Sequence, residues 1–186
     1  MLWLWILIGV LVLLGILFVL GYNRLVRLRN EVNTGWANIE VQLERRTDLI
    51  PNLVEIVRCY AAHERGVFDE VTRARAGVQQ AGSPGAAAEA NAGLTVALGR
   101  LFAVAEAYPD LKASENFSQL QDELTDTEDK ISAARRYYNA TVMNFNNGVQ
   151  SLPWVLFARP LGFRAREFFS AEGDTGVPQV TFATGS

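Results

Sequence analysis

The first 22 residues, MLWLWILIGVLVLLGILFVLGY, carry no charged side chain. Wound as a helix, such a run is about 33 Å long, enough to cross the hydrocarbon core of a bilayer. The segment must leave water, so the rest of the chain has to fold beside a membrane anchor. A cleaved signal peptide would want a basic start, a shorter apolar core and a small-x-small cleavage site. Here no Lys or Arg precedes Arg24, and the run ends in GYNRL, so a retained anchor is expected. Arg24, Arg27 and Arg29 follow directly. Flanking cations stay on the cytoplasmic side, which predicts an N-terminus outside and a cytoplasmic body. Trp3, Trp5 and Tyr22 sit near the two ends of the span, where aromatic rings favour the interface. A lone Cys59 excludes an intrachain disulfide and fits a reducing compartment.

Beyond the anchor, apolar residues recur in steps of three and four. The first series is Leu25, Leu28, Val32, Trp36, Ile39 and Leu43; Ile50, Leu53, Val57 and Tyr60 continue it, then Val67, Val71, Ala74 and Val78. AGSPG at 81–85 breaks the pattern, and Leu94, Leu98, Leu101 and Ala105 resume it. After the YPDLKAS loop, Ser114 can cap a last long helix, with Glu115 in its first turn. That helix carries Phe117, Leu120, Leu124, Ile131, Ala134, Tyr138, Phe145 and Val149. No stretch alternates as a strand does, so the fold class is all-α: an anchor continuing into an antiparallel four-helix bundle, with an aromatic C-terminal segment. The segments are 1–22 (anchor), 23–150 (bundle), 151–170 (interfacial or bundle-packing) and 171–186 (a disordered tail).

Pro51 interrupts this pattern in two opposite ways. The three-four phase continues across it, which favours one long helix. Proline in a helix interior costs about 3 kcal/mol, whereas it is harmless in a first turn that Asp48 could cap. Arg45 and Arg46 would close a preceding helix. A turn gives helices near 22–46, 49–80, 86–107 and 114–149, of comparable length, and that arrangement is the expected one. It gathers Arg73 and Arg75 at the membrane end and returns the chain to the bilayer after Val149.

The returning chain reads SLPWVLFARPLGFRAREFFSAE. Trp154, Phe157 and Phe163 alternate with Arg159, Arg164 and Arg166. Rings at headgroup depth beside cations on lipid phosphate make a membrane-surface segment. The same residues could instead pack on the bundle as a lid. At the far end of the last helix, Asp122, Glu123, Asp126, Glu128 and Asp129 form an acidic run, read first as a solvated face and second as a partner surface.

Catalytic signatures are missing. HERGV lacks the second histidine of a zinc-protease helix, and one His with one Cys cannot build a metal site. Cys59 and His63 stand four apart with no oxyanion site marked near them, so a packed thiol and a half-buried imidazole are expected. No glycine loop cradles phosphate, and no cofactor is implied. A net charge of −3 with a pI near 5.3 argues against nucleic acid as partner. Amides such as Asn23, Asn30, Asn33, Gln42, Asn139, Asn144, Asn146 and Asn147 flank the apolar seams, where buried amides fix register. Gly35 beside Trp36 could admit a close neighbour.

Two long runs carry a resemblance. YNRLVRLRNEVNTGWANIEVQLERRTDLIPNLVEIVRCYAAHE and AYPDLKASENFSQLQDELTDTEDKISAARRYYNATVMNFNN resemble the LemA family, as does the Pro-Trp and Gly-Phe segment that follows. The resemblance implies a bacterial single-pass membrane protein with an antiparallel helical body and no established activity or cofactor. Together these readings predict a non-enzymatic, homo-oligomeric scaffold on the bacterial inner membrane, with lipid as partner. The alternative is an adaptor that holds another membrane protein, such as a protease, through the acidic run.

Overall fold

The periodic stretches become helices in the computed structural model, which describes residues 2–171. In chain order these are α1 (Leu2–Tyr60), α2 (Arg65–Gln80), α3 (Pro84–Glu106), α4 (Pro109–Lys112), α5 (Glu115–Gln150) and α6 (Trp154–Phe157). The described residues contain no strand. Most of the tail expected over 171–186 lies outside them. The chain divides into two units. One holds residues up to Val41 with Lys130–Glu167; the other holds Gln42–Asp129 and the described chain from Phe168 on.

The expected turn at Pro51 does not occur: α1 runs through it to Tyr60. Ile50, Leu53, Val54 and Val57 are all buried, so the continuous helix keeps its apolar phase where a turn would break it. A proline has no N–H, and the carbonyl it strands is the one four residues back. That carbonyl belongs to Thr47, and Arg75 Nε of α2 donates to it at 2.8 Å. The defect in one helix is thus filled by a cation from another. Arg75 therefore lies beside Thr47, within the unit that does not hold the apolar span, and the turn that was to gather it with Arg24 and Arg27 is not made. The chain reverses later instead, over Ala61–Glu64, where no glycine or proline announces it. Phe68 and Val71 of α2 are buried, and Arg58 stands over the Phe68 ring at 5.4 Å, so α2 folds back along the end of α1.

This arrangement makes a measurable claim. Pro51→Ala restores the missing amide and is expected to stabilise the fold by about 1–3 kcal/mol. Arg75→Ala should destabilise the parent by about 1 kcal/mol, and by clearly less in the Pro51→Ala background. Chemical denaturation of the four proteins reads both; equal effects of Arg75→Ala in the two backgrounds would contradict the compensation.

Turn chemistry places α3. Ser83 accepts from the Ala86 amide at 3.3 Å, and Pro84 occupies the first turn. The stripe of Leu94, Leu98, Leu101 and Ala105 is buried as its spacing predicts. On α5, Phe117, Leu124, Ile131, Tyr138 and Phe145 recur every seven residues and are all buried. On α1 the matching series is Leu25, Val32, Ile39, Arg46 and Leu53, also buried throughout, so one position of an apolar seam is an arginine.

Candidate functional site

The unit containing the apolar span has three layers of contact. α1 and α5 lie close because two glycines allow it. A Cβ on Gly35 would meet the Tyr138 Cα at 3.3 Å, and one on Gly148 would meet Leu25 and Leu28 at 3.2 Å. The expectation that Gly35 admits a neighbour holds, and the neighbour is the α5 backbone. Trp36 tilts against Tyr138 at 5.8 Å.

After α5 the chain forms a foot on α1. Trp154 lies 5.5 Å from Phe18, and Phe157 meets the same ring edge-on at 6.2 Å. Phe18 belongs to the apolar span, one helical turn before Tyr22. The Trp154 indole occupies the space that a side chain on Gly21 would need. Leu152, Val155, Leu156 and Phe157 remain exposed beside it. The foot ends in a helix stop. Phe163 N bonds Ala158 O, Gly162 N bonds Arg159 O, and Gly162 takes φ +81°, the left-handed position that glycine favours. This stop turns Phe163 inward. Its ring is buried against Tyr22 at 5.6 Å and Phe145 at 6.4 Å, with Arg29 over its face at 5.3 Å.

From Phe163 the chain runs away from the span along α5. Asn146 clamps the Arg166 main chain, accepting from its N–H at 2.8 Å and donating to its carbonyl at 2.9 Å. The Tyr138 hydroxyl donates to Glu167 O at 2.8 Å. Burial pushes the Tyr138 phenol up; Arg166 pulls it down and Glu167 adds to the rise. Arg166 reaches Asn33 at 3.5 Å. Asn33 is eleven residues past Tyr22, about 16 Å along the helix. Leu152, Val155, Leu156 and Phe157 are thus exposed beside the apolar stretch of α1, whereas Phe163 packs inward. Arg159 and Arg164 are exposed, as are Trp3, Trp5 and Tyr22.

Between α1 and α5, next to the foot, an open groove of about 840 Å³ is lined by Arg24, Arg27 and Glu31 on one side. Asn144, Asn147 and Ser151 line the other, and Trp154 and Gly21 close its membrane end. The amides were read as seam residues; their meeting with Arg24 and Arg27 was not foreseen, because it depends on which helix pairs with α1.

In the second unit, the buried arginine of the α1 seam organises a polar cluster. Arg46 Nη1 meets Glu128 at 2.6 Å and also donates to Asn91 Oδ1; Nη2 donates to Thr95 at 3.1 Å. Burial lowers the Arg46 pKa from its ordinary value, and Glu128 pulls it back. Arg45 pairs with Asp126 at 3.5 Å. Two members of the acidic run are therefore engaged within the fold, while Asp122 and Asp129 are exposed. Asn91 was missed as a sequence signal: it stands in an alanine-rich stretch with nothing nearby to mark it. Cys59 and His63 are both exposed, contrary to the expected packing, and α1 ends between them at Tyr60. Among the described residues no cluster of three or more His, Cys, Asp or Glu could hold a metal.

Among the described residues these features define an all-helical protein with one helix long and apolar enough to cross a membrane, and the apolar stretch of that helix is not buried. The chain belongs to the LemA family, whose model matches residues 35–182. It is similar to magnetosome protein MamQ of Magnetospirillum gryphiswaldense, 28% identical over 86% of this chain and 70% of that protein. MamQ 2 of Paramagnetospirillum magneticum is 27% identical over 86% of this chain and 68% of its own length. Protein LemA of Metamycoplasma hominis is 26% identical over 82% of this chain and 73% of its own. A bacterial membrane-associated protein is the class these relatives and the apolar helix support, and no activity is carried by their names.

Proposed function

We propose that the chain is a non-enzymatic scaffold of the bacterial inner membrane, anchored by the apolar part of α1 with its N-terminus outside and its body cytoplasmic. It self-associates and organises or shapes the membrane on which it stands. The observation that carries this reading is the foot: Trp154 and Phe157 rest on Phe18 of the span and leave Leu152, Val155 and Leu156 exposed. Apolar side chains exposed beside a lipid-crossing helix gain about 25 cal/mol for each Å² they withdraw from water, so this surface favours insertion at headgroup depth. Arg159 sits on the same segment, where a cation near anionic lipid contributes up to about 1 kcal/mol. Arg166, beside Asn33, falls outside the proposed interface. Exposed Val41, Tyr137 and Met143 on the flanks of the same unit supply apolar surface for a second copy. The adaptor alternative is weakened because Glu128 and Asp126 of the acidic run already pair with Arg46 and Arg45.

The test uses full-length protein with Trp3, Trp5 and Trp36 changed to Phe, reconstituted in phosphatidylglycerol–phosphatidylcholine vesicles. Lipids brominated near the headgroup are expected to quench Trp154 strongly, and light scattering of the extracted protein should give several copies per particle. Quenching of Trp154 only by an aqueous quencher, or a monomer mass, would overturn the corresponding half of the proposal.

A further inference from the structure

We infer that the groove between α1 and α5 is a site for a single anionic glycerophospholipid, held by its phosphodiester on Arg24 and Arg27. This rests on the membrane reading above and adds the ligand and its place. Arg24 and Arg27 share one face of α1, both are exposed, and neither makes an ion pair within the described structure. Two unneutralised guanidiniums at the edge of an apolar span suit a phosphodiester, which guanidinium binds through paired N–H donors. The opposite wall offers Asn144, Asn147 and Ser151, groups that both donate and accept. Glu31 adds a carboxylate one turn beyond Arg27. A carboxylate repels phosphate but accepts hydrogen bonds from hydroxyls, so it suits the glycerol end of a headgroup. With two cations and one anion the groove is left one charge positive, which an anionic lipid balances and a zwitterionic lipid does not. The membrane end is closed by the Trp154 indole over Gly21, and the exposed Val155 and Leu156 continue from there as a surface for acyl chains. The volume of about 840 Å³ accommodates a headgroup with its glycerol.

The experiment is native mass spectrometry of the full-length protein, delipidated in detergent and titrated separately with phosphatidylglycerol, phosphatidylethanolamine and phosphatidylcholine. One phosphatidylglycerol per chain is expected to persist, at least tenfold more readily than either zwitterionic lipid. R24Q/R27Q, which changes only exposed side chains, should reduce that retention at least tenfold, and R159Q/R164Q should change it less than twofold. Equal retention by R24Q/R27Q, or equal retention of phosphatidylethanolamine, would overturn the assignment. Displacement of the lipid by an equal concentration of soluble glycerophosphoglycerol would overturn it as well, since the ligand would then be a free phosphodiester. Depth quenching of Trp154 in vesicles, with Trp3, Trp5 and Trp36 changed to Phe in the parent and in R24Q/R27Q, separates the two readings. A lipid-quenched Trp154 with unchanged lipid retention in R24Q/R27Q sinks the groove alone, and a water-exposed Trp154 sinks the foot.

Discussion

Gly21→Val detaches the foot. Any side chain at this position overlaps the Trp154 ring, and valine adds two branches that a helix holds in one rotamer. Trp154 must swing away, and with it goes the Phe18 contact that seats α6. Trypsin should then cut after Arg164 at least tenfold faster than in the parent, read as appearance of the shortened chain by mass; Arg159 precedes Pro160 and is not a tryptic site. Helix content should change little, because α1 gains a better helix former than glycine. Cleavage at the parental rate would mean that Trp154 is not what holds residues 152–161 in place.

Arg46→Met is the second large effect. The parent buries a guanidinium at 4% exposure and satisfies it with Glu128, Asn91 and Thr95, while Nε finds no acceptor among the described residues. Removing the cation leaves Glu128 and Asn91 without their partner. Breaking a buried pair costs about 3–5 kcal/mol, which half-exposed Glu128 reduces to about 2–4. At this chain length the melting temperature should fall by about 5–15 °C. R46M/E128L should recover most of that loss, because an apolar pair of similar volume is often as stable as a buried ion pair. A double variant no better than R46M would show that Glu128 contributes nothing beyond its own solvation.

The helical class and most of each seam were legible because burial follows the three-four spacing: Leu25, Val32, Ile39, Ile50 and Leu53 are buried as read, whereas Leu28 and Trp36 are half-buried and Tyr60, at the end of α1, is exposed. Pro51 was misjudged on local chemistry. Its intrinsic penalty is real, but the sequence does not reveal that Arg75, 24 positions later, supplies the donor that Thr47 O lacks. The reversal at Ala61–Glu64 was hidden for a related reason: it is imposed by Phe68 and Val71 needing to reach the α1 seam, not by a breaker residue. Arg46 was read as a helix-closing cation, although its seven-residue spacing from Ile39 and Leu53 already placed it on the buried stripe. The groove could not be read at all, since Arg24 and Asn147 meet only once α5 is known to run beside α1. The return of residues 152–161 to the span was reached through a wrong turn. It survives because α5 alone, at 36 residues, is long enough to bring the chain back.

Asn146 recognises the chain after Phe163 through main-chain atoms only, an N–H and a carbonyl of one residue. Such a clamp is blind to side-chain identity. It fixes where an extended segment lies but not which segment it is, so discrimination falls on Phe163 and the aromatic pocket of Tyr22 and Phe145 three residues upstream. Position 166 is therefore held chiefly by its backbone, its side chain adding only the reach to Asn33 and the charge beside Tyr138, whereas position 163 must fill the pocket. An identical segment from a second copy that brings its own phenylalanine would satisfy the clamp as well as the resident one.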